Sequence, residues 1–147
     1  MPPAPVPSEV DAFIRRPNAG VVATVNPDGS PHLAVTWYDV EDDGRILLSM
    51  DADRLRIRNM RNDPRVALTA IDNDNFYWQV TLNGRVTALE PDEGLAVIDR
   101  LAQRYMGSDY PDHSRQRFTA WIEVDSWHGW DPVRFARWEA GVTKPPT

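Results

Sequence analysis

The sequence predicts a mainly β domain, a barrel or a sandwich with helices over its openings. Three observations carry this. Apolar and polar residues alternate with period two in about six separate segments. Turn-forming runs of Pro, Gly, Asp and Asn stand between those segments. One late stretch repeats apolar residues at helical spacing and enters before the last strands. At 147 residues a single domain is expected, and a chain of this size buries roughly two-thirds of its unfolded surface without help from disulfides or structural metals. The expected domain spans 8–138. Proline recurs from Pro2 to Pro7 and at Pro145 and Pro146, so 1–7 and 139–147 are expected to be extended or flexible tails.

Ser8 is placed to cap a short helix whose apolar face is Val10, Phe13 and Ile14 and which ends at Arg15-Arg16-Pro17. From Gly20 the period becomes two, and Pro27-Asp28-Gly29-Ser30 turns the chain into a second strand over Pro31 to Val40. Glu41-Asp42-Asp43-Gly44 turns it again into Arg45 to Met50. Asp51 and Asp53 offer capping carboxylates to an Arg-rich helix from Arg54 to Asn62, which Pro64 stops. Alternation resumes from Arg65 to Ile71, and Asp72-Asn73-Asp74-Asn75 is a turn. Phe76 to Leu89 reads as one long strand with a bulge at Asn83-Gly84 in preference to a hairpin, because the β-branched pattern continues through it. Leu95, Ile98, Leu101, Ala102 and Tyr105 form one helical face that begins after Pro91-Asp92-Glu93 and is closed by Gly107. Phe118 to Trp127 alternates as a further strand, and a short one is expected from Gly129 to Phe135.

Composition excludes several chemistries. There is no cysteine, which removes thiolate metal sites, iron–sulfur clusters and cysteine nucleophiles together. No apolar run approaches membrane-spanning length, and the N-terminal stretch resembles no signal peptide. A soluble, cytoplasmic protein with no membrane insertion is expected. The net charge is −6, from 22 acidic and 16 basic residues. Its distribution is uneven: residues 54–65 hold five arginines (54, 56, 58, 61 and 65) and one acid, Asp63, so this window is +4 and the remainder −10. Nucleic-acid binding draws on broad basic coverage, whereas a compact basic window fits one anion. Arg54, Arg58 and Arg61 are also at helical spacing, so a merely solvated face remains the alternative for those three.

His32, His113 and His128 are too scattered to form a metal motif, and no serine-nucleophile, dinucleotide or P-loop motif is present. With no autonomous catalytic set legible, the catalytic residues are unknown and any chemistry belongs to a bound cofactor. The best cradle is Ser49-Met50-Asp51-Ala52-Asp53-Arg54-Leu55-Arg56-Ile57-Arg58-Asn59, a strand end running into a helix. A phosphate there would meet backbone N–H groups, a hydroxyl and guanidinium forks. Trp37, Tyr38, Tyr77, Trp78, Trp127 and Trp130 are available either to wall a flat ring or to fill the core.

Gly20-Val-Val-Ala-Thr24, Asp28-Gly-Ser-Pro31-His-Leu-Ala-Val-Thr-Trp37-Tyr38 and Arg56-Ile-Arg-Asn59-Met-Arg-Asn-Asp63-Pro64-Arg-Val66 together resemble the pyridoxamine-phosphate-oxidase-like split β-barrel superfamily. Within it they are most similar to the type-B flavin/deazaflavin oxidoreductases that use coenzyme F420. The resemblance implies a six-stranded split barrel, homodimeric, with cofactor sites at the subunit interface. It implies cofactor contacts from His32, Thr36 and Trp37 beside the ring, and from Ser49, Met50, Arg54, Arg56 and Asn59 at the phosphate and tail. The resemblance further implies that Trp78 lies on a segment that contributes to the site from the second subunit. Arg56 stands where the family often has Lys, exchanging a compact ammonium for a planar fork. The tail lacks the Arg/His-rich motif of a true pyridoxamine-phosphate oxidase, which argues against vitamin B6 chemistry.

The implied function is an F420-dependent reductase that passes a hydride to an unsaturated small organic substrate, with Tyr77 or His32 as the candidate proton donor. The alternatives are an FMN-dependent oxidoreductase of the same fold, or a carrier of a deazaflavin or haem with no reaction of its own.

Overall fold

The computed structural model describes residues 4–132 and 136–138. The tail segments 1–3 and 139–147, and positions 133–135 of the expected last strand, lie outside the described residues. Six long strands are present: β1 (Ala19–Val25), β2 (Pro31–Thr36), β4 (Ile46–Asp51), β5 (Arg65–Ile71), β6 (Gln79–Pro91) and β7 (Arg117–Asp131). Two short ones join them, β3 (Asp39–Val40) and β8 (Ala136–Arg137). Helices α1 (Ser8–Ile14), α2 (Leu55–Asn62) and α3 (Ala96–Met106) complete the chain.

All strand pairs are antiparallel and follow the order β2-β1-β5-β6-β7-β4-β3, with β8 on β7. The two ends of this order are consecutive in the chain. Only Trp37 and Tyr38 separate β2, which pairs with β1, from β3, which pairs with β4. Two residues therefore carry the chain from one edge of the sheet to the other, and the sheet must curl on itself. The expected single strand from Pro31 to Val40 is thus two strands with different partners. Between β2 and β4 the barrel is split.

Alternation fills the interior with Val22, Leu68, Ala70, Val80, Leu82, Ile122 and the fully buried Trp127. Every residue of β4 is buried because both its faces are covered. Ile46, Leu48 and Met50 join the barrel core, while Leu47 and Ser49 take the opposite parity, toward α3. Helix α1 buries Val10, Phe13 and Ile14, near the start of β1, where Asn18 Nδ2 donates to the Phe13 carbonyl. Helix α2 sits at the far end of β1, with Ile57 and Met60 in the core.

Three caps differ from the sequence expectation. Pro7 occupies the N-cap of α1 and no side chain caps it. Arg54 holds that position in α2, again without a side-chain cap, because the Asp51 carboxylate is engaged by arginines instead. Helix α3 begins only at Ala96, after a 3-10 turn and Leu95 at φ 58°. Asp92 closes it across that kink, accepting from the Val97 and Ile98 amides at 3.0 Å each. Gly107, at φ 76°, ends it as expected.

The bulge at Asn83-Gly84 is present, but the extra residue is on the partner strand. Asn83 faces Ser126 and Gly84 faces Val124, leaving Asp125 of β7 unopposed. A Cβ on Gly84 would run into the Glu123 carbonyl oxygen, so this close approach needs glycine. Strand β7 absorbs the start of the expected final strand, Gly129 to Asp131, by running unbroken to Asp131. Ahead of α1, the Ala4 amide donates to the Asp125 carbonyl at 3.1 Å and Val6 packs on the core.

Candidate functional site

The register of β4 against β7 builds the floor of the split. Ser49 stands opposite Thr119 and Asp51 opposite Arg117. Arg117, 8% exposed, donates from Nε to Ser49 Oγ at 3.0 Å and from Nη1 to Asp51 Oδ1 at 2.7 Å. Two further guanidiniums reach the same carboxylate, Arg115 at 3.0 Å and Arg54 at 3.5 Å. Arg115 also pairs with Asp112 at 3.1 Å.

Arg56 is different. It turns from the first turn of α2 into the split, its Nη1 is buried, and no described residue hydrogen-bonds to that nitrogen. Burial lowers its pKa, the charges of Arg54 and Arg117 lower it further, and Asp51 opposes them only in part. A guanidinium nitrogen buried without a partner beside other cations has the chemistry to receive an anion.

Two adjoining depressions meet at Arg56 and Val35. One, about 270 Å³, is lined by Thr36, Trp37, Ser49, Ile98, Tyr110 and Arg117 among others. The other, about 400 Å³, is lined by His32, Leu33, Ala34, Arg54 and Leu55 besides the shared pair. The first is walled by stacked aromatics: Trp37 lies 5.3 Å from Tyr105 with rings 9° apart, and edge-on to Tyr110 at 6.2 Å. Arg117 sits 5.1 Å over the Tyr110 ring. Together the two compartments offer a flat aromatic wall at one end and uncompensated positive charge at their junction.

Of the residues singled out from sequence, His32, Thr36, Trp37, Ser49, Arg54 and Arg56 therefore converge on one groove. Three do not line it. The Met50 side chain is in the barrel core at 0% exposure, because β4 alternation turns it inward. Asn59 is buried under α2 and donates to Thr24 Oγ1 at 3.1 Å and Asn26 Oδ1 at 3.0 Å, which pins the helix to β1. Trp78 stacks on Phe13 at 5.1 Å beside Arg16. Arg61 lies over Phe118, and neither it nor Arg58 lines either compartment. Sequence reasoning missed Tyr110, Arg115 and Arg117. Their signal was the Arg115/Arg117 spacing of two at the start of a strand, which acquires meaning only once that strand is known to pair with β4.

A family model described as pyridoxamine 5'-phosphate oxidase matches residues 6–131, a span that holds all six long strands and every groove residue. The chain belongs to that family. Members of the pyridoxamine 5'-phosphate oxidase family share an oxidoreductase fold that binds flavin-type cofactors. A solved structure named F420 reductase is 27% identical to this chain at a TM-score of 0.73, covering 83% of this chain and 98% of that one. A conserved hypothetical protein of Mycobacterium tuberculosis, Rv2991, is 27% identical at a TM-score of 0.67, covering 96% and 95%. A protein of Listeria innocua named as a putative pyridoxamine 5'-phosphate oxidase, 18% identical at a TM-score of 0.61 and covering 81% and 93%, shares the fold. None of the curated proteins matches the chain.

Proposed function

We propose that the groove holds coenzyme F420 and that the protein is an F420-dependent oxidoreductase acting on an unsaturated small organic substrate. The observation that carries this is the unpartnered, buried Arg56 Nη1 at the junction of an aromatic compartment and a basic one. The 27% identity to a protein named F420 reductase supports it. When bound, the reduced cofactor supplies a hydride. The chain binds, orients and excludes water. Arg56 and Arg54 meet the phosphate and acidic tail, Ser49 and Arg117 fix the geometry beneath them, and Trp37 with Thr36 flanks the ring. Of the two candidate proton donors, His32 lines the basic compartment and Tyr77 lines neither.

The working unit in this proposal is a homodimer. Among the described residues, four of the five exposed large apolar side chains fall in two patches, Leu33 with Val35 on β2 and the stacked Phe76 and Tyr77 before β6. Leu33 and Val35 rim the groove, and Trp78 would reach a groove only from a second copy.

Titration of the purified protein with coenzyme F420 and with FMN, followed by tryptophan quenching, tests the cofactor. The expected result is saturable binding of coenzyme F420 with FMN the weaker ligand, and an Arg56→Ala loss of about 1.5–3 kcal/mol for a charge-assisted bond. FMN binding with no response to coenzyme F420 sinks the proposal and installs the FMN enzyme. Binding without turnover of the reduced cofactor against enones and quinones leaves a carrier.

A further inference from the structure

We infer that Asp51 is a resident counter-ion for the groove, and that Arg54 and Arg115 are exchangeable arms which leave it for the phosphate of an incoming ligand. This rests on the groove taking a phosphate, as proposed above, but not on which ring carries that phosphate.

The three guanidiniums on Asp51 are not equivalent. Arg117 is enclosed, its side chain 9% exposed, and it is held at both ends by Ser49 and Asp51. Arg54 and Arg115 are 59% and 51% exposed and approach the other carboxylate oxygen, Oδ2, at 3.5 and 3.0 Å. Arg117 is therefore built in, while the other two make solvent-screened pairs of small net worth. They also come from different elements. Arg54 precedes α2 and lines the basic compartment, and Arg115 precedes β7 in the loop that carries Tyr110 of the aromatic compartment.

The charge balance points the same way. Two carboxylates, Asp51 and, through Arg115 alone, Asp112, face three guanidiniums, with the unpartnered Arg56 Nη1 beside them. A phosphate dianion placed near Arg56 would outcompete the Asp51 carboxylate for the mobile arms, because it offers more charge and more acceptor oxygens. Asp51 would keep Arg117, and with it the Ser49 hydroxyl, in place throughout. Arg115 then becomes an anion-binding residue from outside the β4–α2 segment, and Asp51 sets how strongly the groove takes an anion that carries no ring.

The probes are inorganic phosphate and pyrophosphate, titrated by calorimetry into the intact protein and its Asp51→Asn, Arg115→Gln and Arg54→Gln variants. Exchange predicts that Asp51→Asn binds phosphate tighter by about fivefold, since the exposed pairs no longer compete, and that Arg115→Gln and Arg54→Gln each bind it more weakly. A purely structural Asp51 predicts the opposite: Asp51→Asn loosens the cluster and weakens phosphate binding, and Arg115→Gln changes nothing. Either of those results overturns the inference, as does a wild type that binds neither probe. If Asp51→Asn fails to fold, the exposed Arg115 and Arg54 variants decide. Phosphate results of the expected sign beside a failed coenzyme F420 titration would uphold the exchange and remove only the cofactor assignment.

Discussion

Arg117 and Asp51 face each other across the β4–β7 ladder, and their side chains close the pair at 2.7 Å with less than a tenth of either exposed. Sheet register places this ion pair; no flexible loop does. Removing one partner strands the other charge in a desolvated position. Arg117→Met is expected to cost about 2–4 kcal/mol in urea unfolding, less than a wholly buried pair because Arg115 still reaches the carboxylate. Arg117→Lys should recover only part of this, since an ammonium cannot span Ser49 and Asp51 as the planar fork does. Full recovery by Lys would show that charge alone matters there.

Arg56 should behave in the reverse sense. Its charge is disfavoured by burial and by Arg54 and Arg117, so the ligand-free fold is destabilised by holding it. Arg56→Met keeps the aliphatic stem and removes the charge, and is expected to raise Tm while weakening anion binding. The gain is on the order of 1 kcal/mol or less, because the group is partly solvated. A fall in Tm would mean that an unseen partner already satisfies the guanidinium.

Much of the fold was legible because its signals are local. Period-two alternation, the turn at Pro27 to Ser30, the stop at Pro64 and the cap at Gly107 each act within a few residues. What was hidden depends on distant pairing. Trp37 and Tyr38 look like mid-strand residues until β2 and β3 are seen to pair with opposite sheet edges, and the bulge falls on Asp125 because Gly84 admits the Glu123 carbonyl from another strand. The site divides in the same way. The strand-to-helix run from Ser49 to Arg56 was readable as an anion cradle, yet strand parity turns Met50 inward, and Asn59 is consumed in fixing α2 to β1. Arg117, 66 residues from Asp51, leaves no mark in a local window.

Gly84 tests the bulge directly. Gly84→Ala places a methyl against a backbone carbonyl in the β6–β7 ladder, where neither strand is free to retreat. Overpacking of this kind costs about 1–3 kcal/mol, read as a lower urea midpoint with unchanged m-value. The same change at Gly29, at φ 87° with open space around it, meets strain but no clash. Gly84 has no positive φ, so a Gly84→Ala protein as stable as the parent would show that the ladder yields and that the carbonyl contact does not require glycine.

The last expectation concerns alkaline pH. Tyr38 is fully buried, donates its hydroxyl proton to the Ile14 carbonyl at 2.6 Å and accepts from Asn18 Nδ2 at 3.1 Å. Burial pushes its pKa well above the usual tyrosine value, and burial also raises that of Tyr105. Both phenols keep their protons in the folded protein at a pH where the unfolded chain begins to lose them, near pH 10. Their contribution to stability is whole below that pH and is lost as pH rises toward the folded values, because the unfolded state binds fewer protons. Urea unfolding followed from about pH 8 to about pH 11 should show stability falling steeply above pH 10. Tyr38→Phe removes one of the two responsible groups, so the slope should flatten. The same change lowers stability at neutral pH by about 1–3 kcal/mol, through the orphaned Ile14 carbonyl. An unchanged alkaline slope in Tyr38→Phe would show that the Tyr38 hydroxyl exchanges with solvent before the barrel opens.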